Sequence, residues 1–550
     1  MAATVESSGV RWPDLAGAAL VLLAVLALYG PLIPQTRLLE RDDQRLVEPL
    51  RKLAGPGDYV DAVRAGRILD VQPVRDLSYW LELRFEAATG LTPFHATNVL
   101  LWLLAVALVQ RLLAVRHQGF TLWLLVLLFA LHPVFVGSVA WVAARKHLLS
   151  AVFTLGATVL VVRAKHWSAG KSAATAALYS LAVASQPITL LWPLWGAAEL
   201  WRRGPTERRS AVQLFLACVP SLLLAAAVNF LYYRGAYVQQ VGVEKFVDAE
   251  GTGGVALLSV GRAFANLVFP VALATQYSPG SVLNLVGLAA LVLVAAVSLK
   301  FRPRGDVLSA LGFFAFPLLV VTVRMTSIFL SDPYLLVPSV GVAWLLALWL
   351  PGERKVRAPQ VALALVPLAF AVASHALVPT WSSESALWAH AAEVEPTPNA
   401  LAKHAYYLAQ QGRAHEALEV ATRLGAWEPS HPEYPLVLAR AVFLDSTLDV
   451  ERKLELLHAS GLRGGWPAYF TGLLELQRGH RVEAGAALDE ALADATPFKA
   501  EVATVAAEAH LLCLQDGRVD CAERTAAVRA KAGPAWNEAR FQARLAQQPR

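Results

Sequence analysis

Long stretches without a single charge constrain this chain more than anything else in it. No Asp, Glu, Lys or Arg occurs from Leu15 to Ile33, and crossing a hydrocarbon core takes about 20 residues of apolar helix. Similar runs recur at Ala96–Val109, Leu122–Leu131, Leu148–Val162, Ala173–Ala198, Val212–Tyr232, Val282–Leu299, Val307–Val323, Tyr334–Leu350 and Val361–Val378. Past Val378 they stop, and from Trp381 on Gly, Ala and Pro punctuate amphipathic helices. The expected fold class is therefore all-α. A polytopic membrane helical bundle over residues 1–380 is followed by a soluble helical repeat array, an α-solenoid, over 381–550.

Composition agrees with a membrane protein. The chain is 56% hydrophobic and only 16% charged, which is apolar for a soluble protein of this length. The net charge of +6 does not point to nucleic acid, because the basic residues sit in short loops between apolar runs, where they set membrane orientation. Three cysteines exclude a disulfide-stapled scaffold and offer no zinc-type spacing. Usage rich in Ala, Leu, Val and Arg with two methionines fits a GC-rich bacterial genome, so the expected location is a bacterial inner membrane. The first run is too long for a signal-peptide core and lacks a small-residue cleavage site after it, so it is expected to remain.

The basic loops give an orientation. With the N-terminus cytoplasmic, the first run exports the loop of residues 34–95. Arg111, Arg116, Arg163, Lys165, Lys171, Arg202, Arg203, Arg208 and Arg209 then fall inside. Keeping Lys300, Arg302, Arg304, Arg354, Lys355 and Arg357 inside as well requires Val255–Thr275 to enter and leave on one side. That stretch contains Arg262, Asn266 and Pro270, which suit a re-entrant segment. At Ser185-Gln186-Pro187 a polar break makes a tight outer turn, though the Gln186 amide could also bond a ligand. The expectation is 11 spans with the repeats outside the cytoplasm.

The repeats have a countable signature. Gly412 and Ala417, Gly479 and Ala484, and Gly517 and Ala522 share one offset, and Pro429 and Pro534 sit equally far beyond Ala417 and Ala522. A turn Gly, a small residue at the helix contact and a closing Pro recur in helical hairpin units of about 34 residues. Four units are expected, with a degenerate one through Tyr434–Ser460. Such stacks leave a concave groove for extended peptide; a rigid spacer is the other reading. Cys513 and Cys521 flank the Gly517 turn, where they could form a disulfide in an oxidising compartment or serve as two small core residues.

Chemistry is expected in the exported loop. It opens on Arg41-Asp42-Asp43-Gln44-Arg45, and neighbouring carboxylates can divide labour as general base and orienting partner; an ordinary solvated juncture fits the same residues. Gln72–Trp80 leads into Leu81–Phe85, a helix expected to lie on the bilayer with Trp80 at headgroup depth. A second polar island runs from His132 to His147. Its Arg145 and Lys146 break the positive-inside trend. Cations at that boundary can hold a lipid phosphate, or snorkel to headgroups. Arg324, just before Ser331-Asp332-Pro333-Tyr334, has the same two readings.

Taken in order, these pieces carry a resemblance. The double acid is followed by Gln-Pro-Val-Arg-Asp-Leu-Ser from Gln72, then Leu91–Leu100, the His132–Lys146 island and Ser-Gln-Pro. Asp332 to Gly341 comes next, and Trp381 to Trp388 leads into the repeats. The chain resembles the transmembrane and tetratricopeptide-repeat O-mannosyltransferase family and its bacterial relatives, of the GT-C glycosyltransferase fold. That resemblance implies transfer of sugar from a polyprenyl-phosphate carrier to a protein hydroxyl on the non-cytoplasmic side, with inversion at the anomeric carbon. Its implied partners are membrane lipid, the lipid-linked sugar and an exported polypeptide met through the repeats. No covalently bound cofactor is implied, and a metal requirement stays open.

Carried over by position, Asp42 is the implied base and Asp43 its partner. His132, Arg145 and Lys146 would face the carrier phosphate, and Gln186, Arg324, Asp332 and Tyr334 would complete the substrate side. This chain departs from the family pattern at Phe135 and Gly137, where a second His and a Glu are expected. It departs again at His147 for Asp, Gln186 for Lys and Pro333 for Arg. Two readings follow: a lipid-linked-sugar-dependent glycosyltransferase, and a non-catalytic membrane scaffold of the same fold that assembles envelope proteins through its repeats.

Overall fold

The computed structural model describes residues 12–40, 42–68, 70–234, 252–324, 330–351, 358–462, 465–493, 499–515, 520–532, 536 and 538–546. Among these every regular element is a helix. The chain divides into two compact units between Glu395 and Pro396, beyond the expected boundary at 380. Side-chain bonds account for the difference. Glu395 pairs with Arg262 at 3.3 Å and accepts from Ser278 N at 3.2 Å, while His390 Nε2 donates to Leu273 O at 2.9 Å. The helix Glu384–Val394 is thereby tied to the first unit.

The first unit begins with α1 (Trp12–Tyr29), followed by the loop helices α2 (Asp43–Arg51), α3 (Pro56–Arg64) and α4 (Pro73–Thr89). Then come α5 (Phe94–Leu113), α6 (Gly119–Ala130), the short α7 (Val136–Ala140), α8 (Arg145–Arg163), α9 (Ala169–Ser185), α10 (Trp192–Trp201) and α11 (Arg208–Arg234). It continues through α12 (Thr252–Val268), α13 (Val282–Phe301), α14 (Arg304–Arg324), α15 (Pro338–Trp349), α16 (Ala358–Leu363) and α17 (Leu365–Leu377). Among the described residues seven helices are long and apolar enough to cross a membrane, or eight if the bent pair Gly119–Ala130 and Pro133–Ala140 is one span. These fit a multi-pass membrane protein. Eleven were expected, and proline explains much of the shortfall. A residue that lacks an N–H and fixes φ starts or breaks helices, and Pro133, Pro187, Pro193 and Pro338 each stand in the first turn of a short piece.

Helix direction sorts the loops into two ends of this bundle. At 1.5 Å per residue, α5 separates Phe94 from Arg111, and α8 separates Arg145 from Arg163, by most of a bilayer. At one end Arg116 meets Asp306 at 2.6 Å, Arg202 meets Glu199 at 3.0 Å and Asp306 at 3.5 Å, and Arg163 donates to Arg111 O. His117 reaches Ala347 O, and Trp349 donates to Ser298 Oγ, at this same end. The helices α2 to α4, the island from His132 to Lys146, Gln186 and Asp332 gather at the other. The expected tight turn is present there as a 3-10 turn, Pro187–Thr189.

The stretch expected to re-enter is an apolar helix shorter than a span. Its Arg262 and Asn266 are buried in protein.

Among its described residues the second unit has four consecutive helix pairs with a last helix after them. The pairs are Pro398–Gln410 with Ala414–Trp427, Tyr434–Leu444 with Val450–Ala459, Gly465–Gln477 with Arg481–Ala493, and Lys499–Gln515 with Asp520–Ala532. Gly412 and Gly479 close their turns at φ +79° and +80°, where a Cβ is strained. Ala417 and Ala484 are fully buried at the helix contacts. Gly517 and the side chains of Ala522, Cys513 and Cys521 lie outside the described residues, and with them the expected disulfide.

Candidate functional site at the polar end of the bundle

The site is built on α4, whose two faces are the reverse of a soluble helix. Leu77, Leu81 and Phe85, one helical turn apart, are 54%, 55% and 47% exposed, whereas Arg75, Asp76, Tyr79 and Glu82 are buried. The buried stripe follows the spacing of one helix face, so the polar groups of this helix turn into the protein while its apolar face stays exposed. The loop helices form a small core of Val47, Leu50, Leu53, Leu83 and Phe94, which docks on Val142.

The double acid is divided by burial. Asp43 is buried, with Oδ2 accepting from Leu39 N at 2.9 Å and Oδ1 from Ala143 N at 2.7 Å. Burial pushes its carboxyl up to about 7, more than the two N–H bonds pull it down, and Asp42 and Glu384 add repulsion. Asp43 is a clamp between the loop and the island. Asp42, just before α2, is half-buried, and its side chain caps nothing.

The two neighbouring cations also part company. Arg145 is fully buried and faces no open space. Its Nε donates to Asn98 Oδ1 at 3.0 Å, Nη2 to Phe94 O at 2.7 Å, and Nη1 to the Glu82 carboxylate and Ser78 Oγ, with the guanidinium over the Tyr79 ring at 4.6 Å. It is an architectural residue rather than the phosphate ligand its sequence position suggested, because all three of its nitrogens already bond protein acceptors and the fully buried guanidinium presents no face to an anion. His132 is spent in the same way: Nδ1 accepts from Val134 N at 3.2 Å, which leaves Nε2 to donate to Leu267 O at 3.1 Å. Lys146 keeps 16% of its side chain exposed, and its ammonium lies 3.4 Å from Asp70 Oδ2.

Asp70 is the residue that sequence reasoning passed over. Its carboxylate receives Arg75 Nη1 at 2.7 Å and Gln72 Nε2 at 3.0 and 3.1 Å, in addition to Lys146. Burial alone would raise this carboxyl; Lys146 and Arg75 outweigh it and hold the group well below the ordinary carboxylate range. Gln72 Nε2 also donates to Gln186 Oε1 at 3.0 Å, which brings Gln186 in beside the cluster. Arg75 is closed by Asp76 at 2.8 Å through Nε, and Asp76 takes Tyr59 Oη at 2.8 Å. The available signal was the spacing of Gln72, Arg75, Asp76, Tyr79 and Glu82 on one helix face.

Asp332 and Tyr334 reach the same end by different routes. The Tyr334 ring stands edge-on to His147 at 4.6 Å between centroids, beside Lys146. Asp332 Oδ1 accepts from Tyr277 Oη at 2.6 Å and Asn266 Nδ2 at 2.9 Å, and Arg262 lies over the Tyr277 ring at 3.9 Å. Burial pushes the Asp332 carboxyl up to about 7, against the pull of Tyr277, Asn266 and Arg262. The side chain of Arg324 lies outside the described residues.

Two departures from the family pattern are filled by aromatic rings. Phe135 packs with Trp102 at 5.1 Å and Phe129 at 5.0 Å. Gly137 lies under Trp381, where a Cβ would stand 2.6 Å from Trp381 Cζ2, and Trp381 stacks on Trp141 at 5.7 Å. Among the described residues no cluster of three or more His, Cys, Asp or Glu could hold a metal ion.

Comparison with protein-family models, curated proteins and solved structures finds no match for the chain.

Proposed function

We propose that the chain is an integral membrane glycosyltransferase of GT-C type, moving a sugar from a polyprenyl-phosphate carrier to Ser or Thr hydroxyls of exported protein. The observation that carries this reading is the Asp43 clamp on Ala143 N. It ties the residue next to Asp42 to the island whose Lys146 stays partly exposed. In the reaction the acceptor oxygen attacks the anomeric carbon as its proton passes to the Asp42 carboxylate. The bond from that carbon to the phosphate oxygen breaks with its electron pair, and polyprenyl phosphate leaves as an anion facing the Lys146 ammonium. Attack opposite the leaving group inverts the centre. The four helix pairs are read as tetratricopeptide-type repeats that recruit the acceptor. The basic end of the bundle is read as cytoplasmic, and the polar end and repeats as extracytoplasmic.

The decisive experiment uses a deletion strain complemented with wild type or Asp42→Asn, with mass spectrometry of intact envelope glycopeptides. Losing a general base costs about 10²–10⁴-fold in rate, so Asp42→Asn should abolish detectable transfer while inserting normally. Full glycosylation with Asp42→Asn would end the mechanism. Orientation is checked by an impermeant thiol reagent: a cysteine at Ser430 should label in outer-membrane-permeabilised cells, and one at Ser210 only after the inner membrane is breached.

A second reading, a non-catalytic scaffold for envelope protein assembly, is favoured by one specific observation. Trp381 lies against Gly137, the position where the family pattern carries an acid. Unchanged glycopeptides in the deletion strain, together with a lost protein complex, would favour the scaffold.

A further inference from the structure

Gln72 carries an acceptor that nothing among the described residues uses. The residue is 6% exposed, and its Oε1 has no hydrogen-bond partner among the described residues. The amide cannot simply be reversed. Its Nε2 faces both Asp70 carboxylate oxygens and Gln186 Oε1, all acceptors, so the other orientation would set oxygen against oxygen. A buried carbonyl oxygen left without a donor costs free energy, and such groups in folded proteins are rarely left unexplained. A ring nitrogen is also unpartnered at this end: His147, 3% exposed, has no partner for Nδ1 among the described residues. Lys146, adjacent in sequence to His147 and bonded to the same Asp70 as Gln72, is the partly exposed cation of this cluster.

The chemistry of these groups is complementary to one kind of ligand. An ammonium takes a phosphate oxygen, and an orphaned amide oxygen takes a hydroxyl hydrogen. A molecule with a phosphate and a hydroxyl a few ångströms apart satisfies both; a glycosyl phosphate has that arrangement, and a bare polyprenyl phosphate lacks the hydroxyl. Asp70 keeps the amide aimed through its hold on Nε2. The geometry points to Gln72 as the residue that reads a sugar hydroxyl of the donor, with Lys146 reading the phosphate. The inference rests on the lipid-linked donor proposed above and adds a division of labour within it.

The test measures binding of two short-chain probes, farnesyl phosphate and farnesyl-phosphoryl hexose (glucose, mannose and galactose in turn), to the purified full-length chain in nanodiscs. Wild type should hold one of the hexose-bearing probes about tenfold more tightly than farnesyl phosphate, the effect of one buried hydrogen bond. Gln72→Leu should erase that preference and leave farnesyl phosphate binding unchanged, whereas Lys146→Gln should weaken both probes alike. A preference that survives Gln72→Leu overturns the assignment and leaves the donor reading intact. Failure of wild type to bind any of the probes removes the donor reading and this inference with it. Should Gln72→Leu not fold, monodeoxy hexose probes on wild type replace it: one hydroxyl position must then carry the tenfold preference, and an even response across positions overturns the assignment.

Discussion

The two ends of the bundle use arginine in opposite ways. At the basic end, Arg116 and Arg202 keep 49% and 36% of their side chains in the open, and their carboxylate partners are also partly exposed. At the polar end, Arg75, Arg145 and Arg262 are fully buried, each beside at least one carboxylate and at least one backbone carbonyl. An exposed pair contributes little, because water and salt screen it and two long side chains must be ordered. A buried guanidinium is stable only while all its partners are in place, since losing one strands a charge away from water. The same residue type therefore forms screened surface pairs at one end and buried architecture at the other, and sequence position alone does not say which.

The largest effect that would test this contrast is expected at Arg145. Arg145→Met strands Glu82 and releases Asn98 and the Phe94 carbonyl, and breaking such a pair costs about 3–5 kcal/mol. The variant should show a large fall in thermal midpoint in detergent or fail to accumulate. Wild-type stability in Arg145→Met would return this residue to the ligand role.

Asp43 comes next. Asp43→Asn offers an N–H₂ to one of two backbone N–H groups, Leu39 or Ala143, and leaves a buried donor unpaired at about 1–3 kcal/mol. It also changes pH dependence, with a defined sign. The unfolded chain releases this proton near pH 4, while the folded chain holds it until about 7. The stability from this group is therefore complete below about pH 4 and is lost as pH rises through about 7. Asp332 acts in the same window. Thermal midpoints should fall between pH 5 and pH 8 in wild type, and fall less steeply in Asp43→Asn. An identical slope in both proteins would show that the Asp43 carboxyl is ionised throughout.

A smaller effect is expected at Gly137→Ala, whose Cβ would crowd the far edge of Trp381. Overpacking costs about 1–3 kcal/mol, with the low end expected because Trp381 is only half-buried. Trp381→Phe added to Gly137→Ala should recover part of the lost thermal midpoint; additive losses would mean that the two sites do not touch. The smallest effect belongs to the basic end. Arg116→Gln should change stability by less than about 1 kcal/mol, and less still at high salt. A loss matching that of Arg145→Met would break the contrast between the two ends.

Helices were legible wherever a run was long and uninterrupted, as in α1, α5 and α13. The count failed where proline divided apolar sequence into short pieces around Pro133, Pro187 and Pro338. In the site, the double acid and the island were visible as polar residues at the edges of apolar runs. What each would do was not. Arg145 and Lys146 are neighbours in the chain, yet successive helix positions point about 100° apart. One therefore enters the packed core beside Glu82 while the other reaches Asp70. Asp70 and Gln72 were overlooked because they lie far along the chain from Lys146 and Gln186, and only the packing of α4 against α8 and α9 unites them.

The sequence by itself determined an all-helical chain with a membrane-suited first part, the change in character near Trp381, and the grouping of basic loops at one end. These follow from local quantities: the length of apolar runs, the absence of charge, and helical periodicity. Tertiary structure alone decided that Glu384–Val394 belongs with the first unit, that the polar face of α4 turns inward, and that Asp43 is a buried clamp while Asp42 stays half-open. Burial and hydrogen-bond satisfaction depend on which distant segments meet, and a charge costs little or much according to what surrounds it.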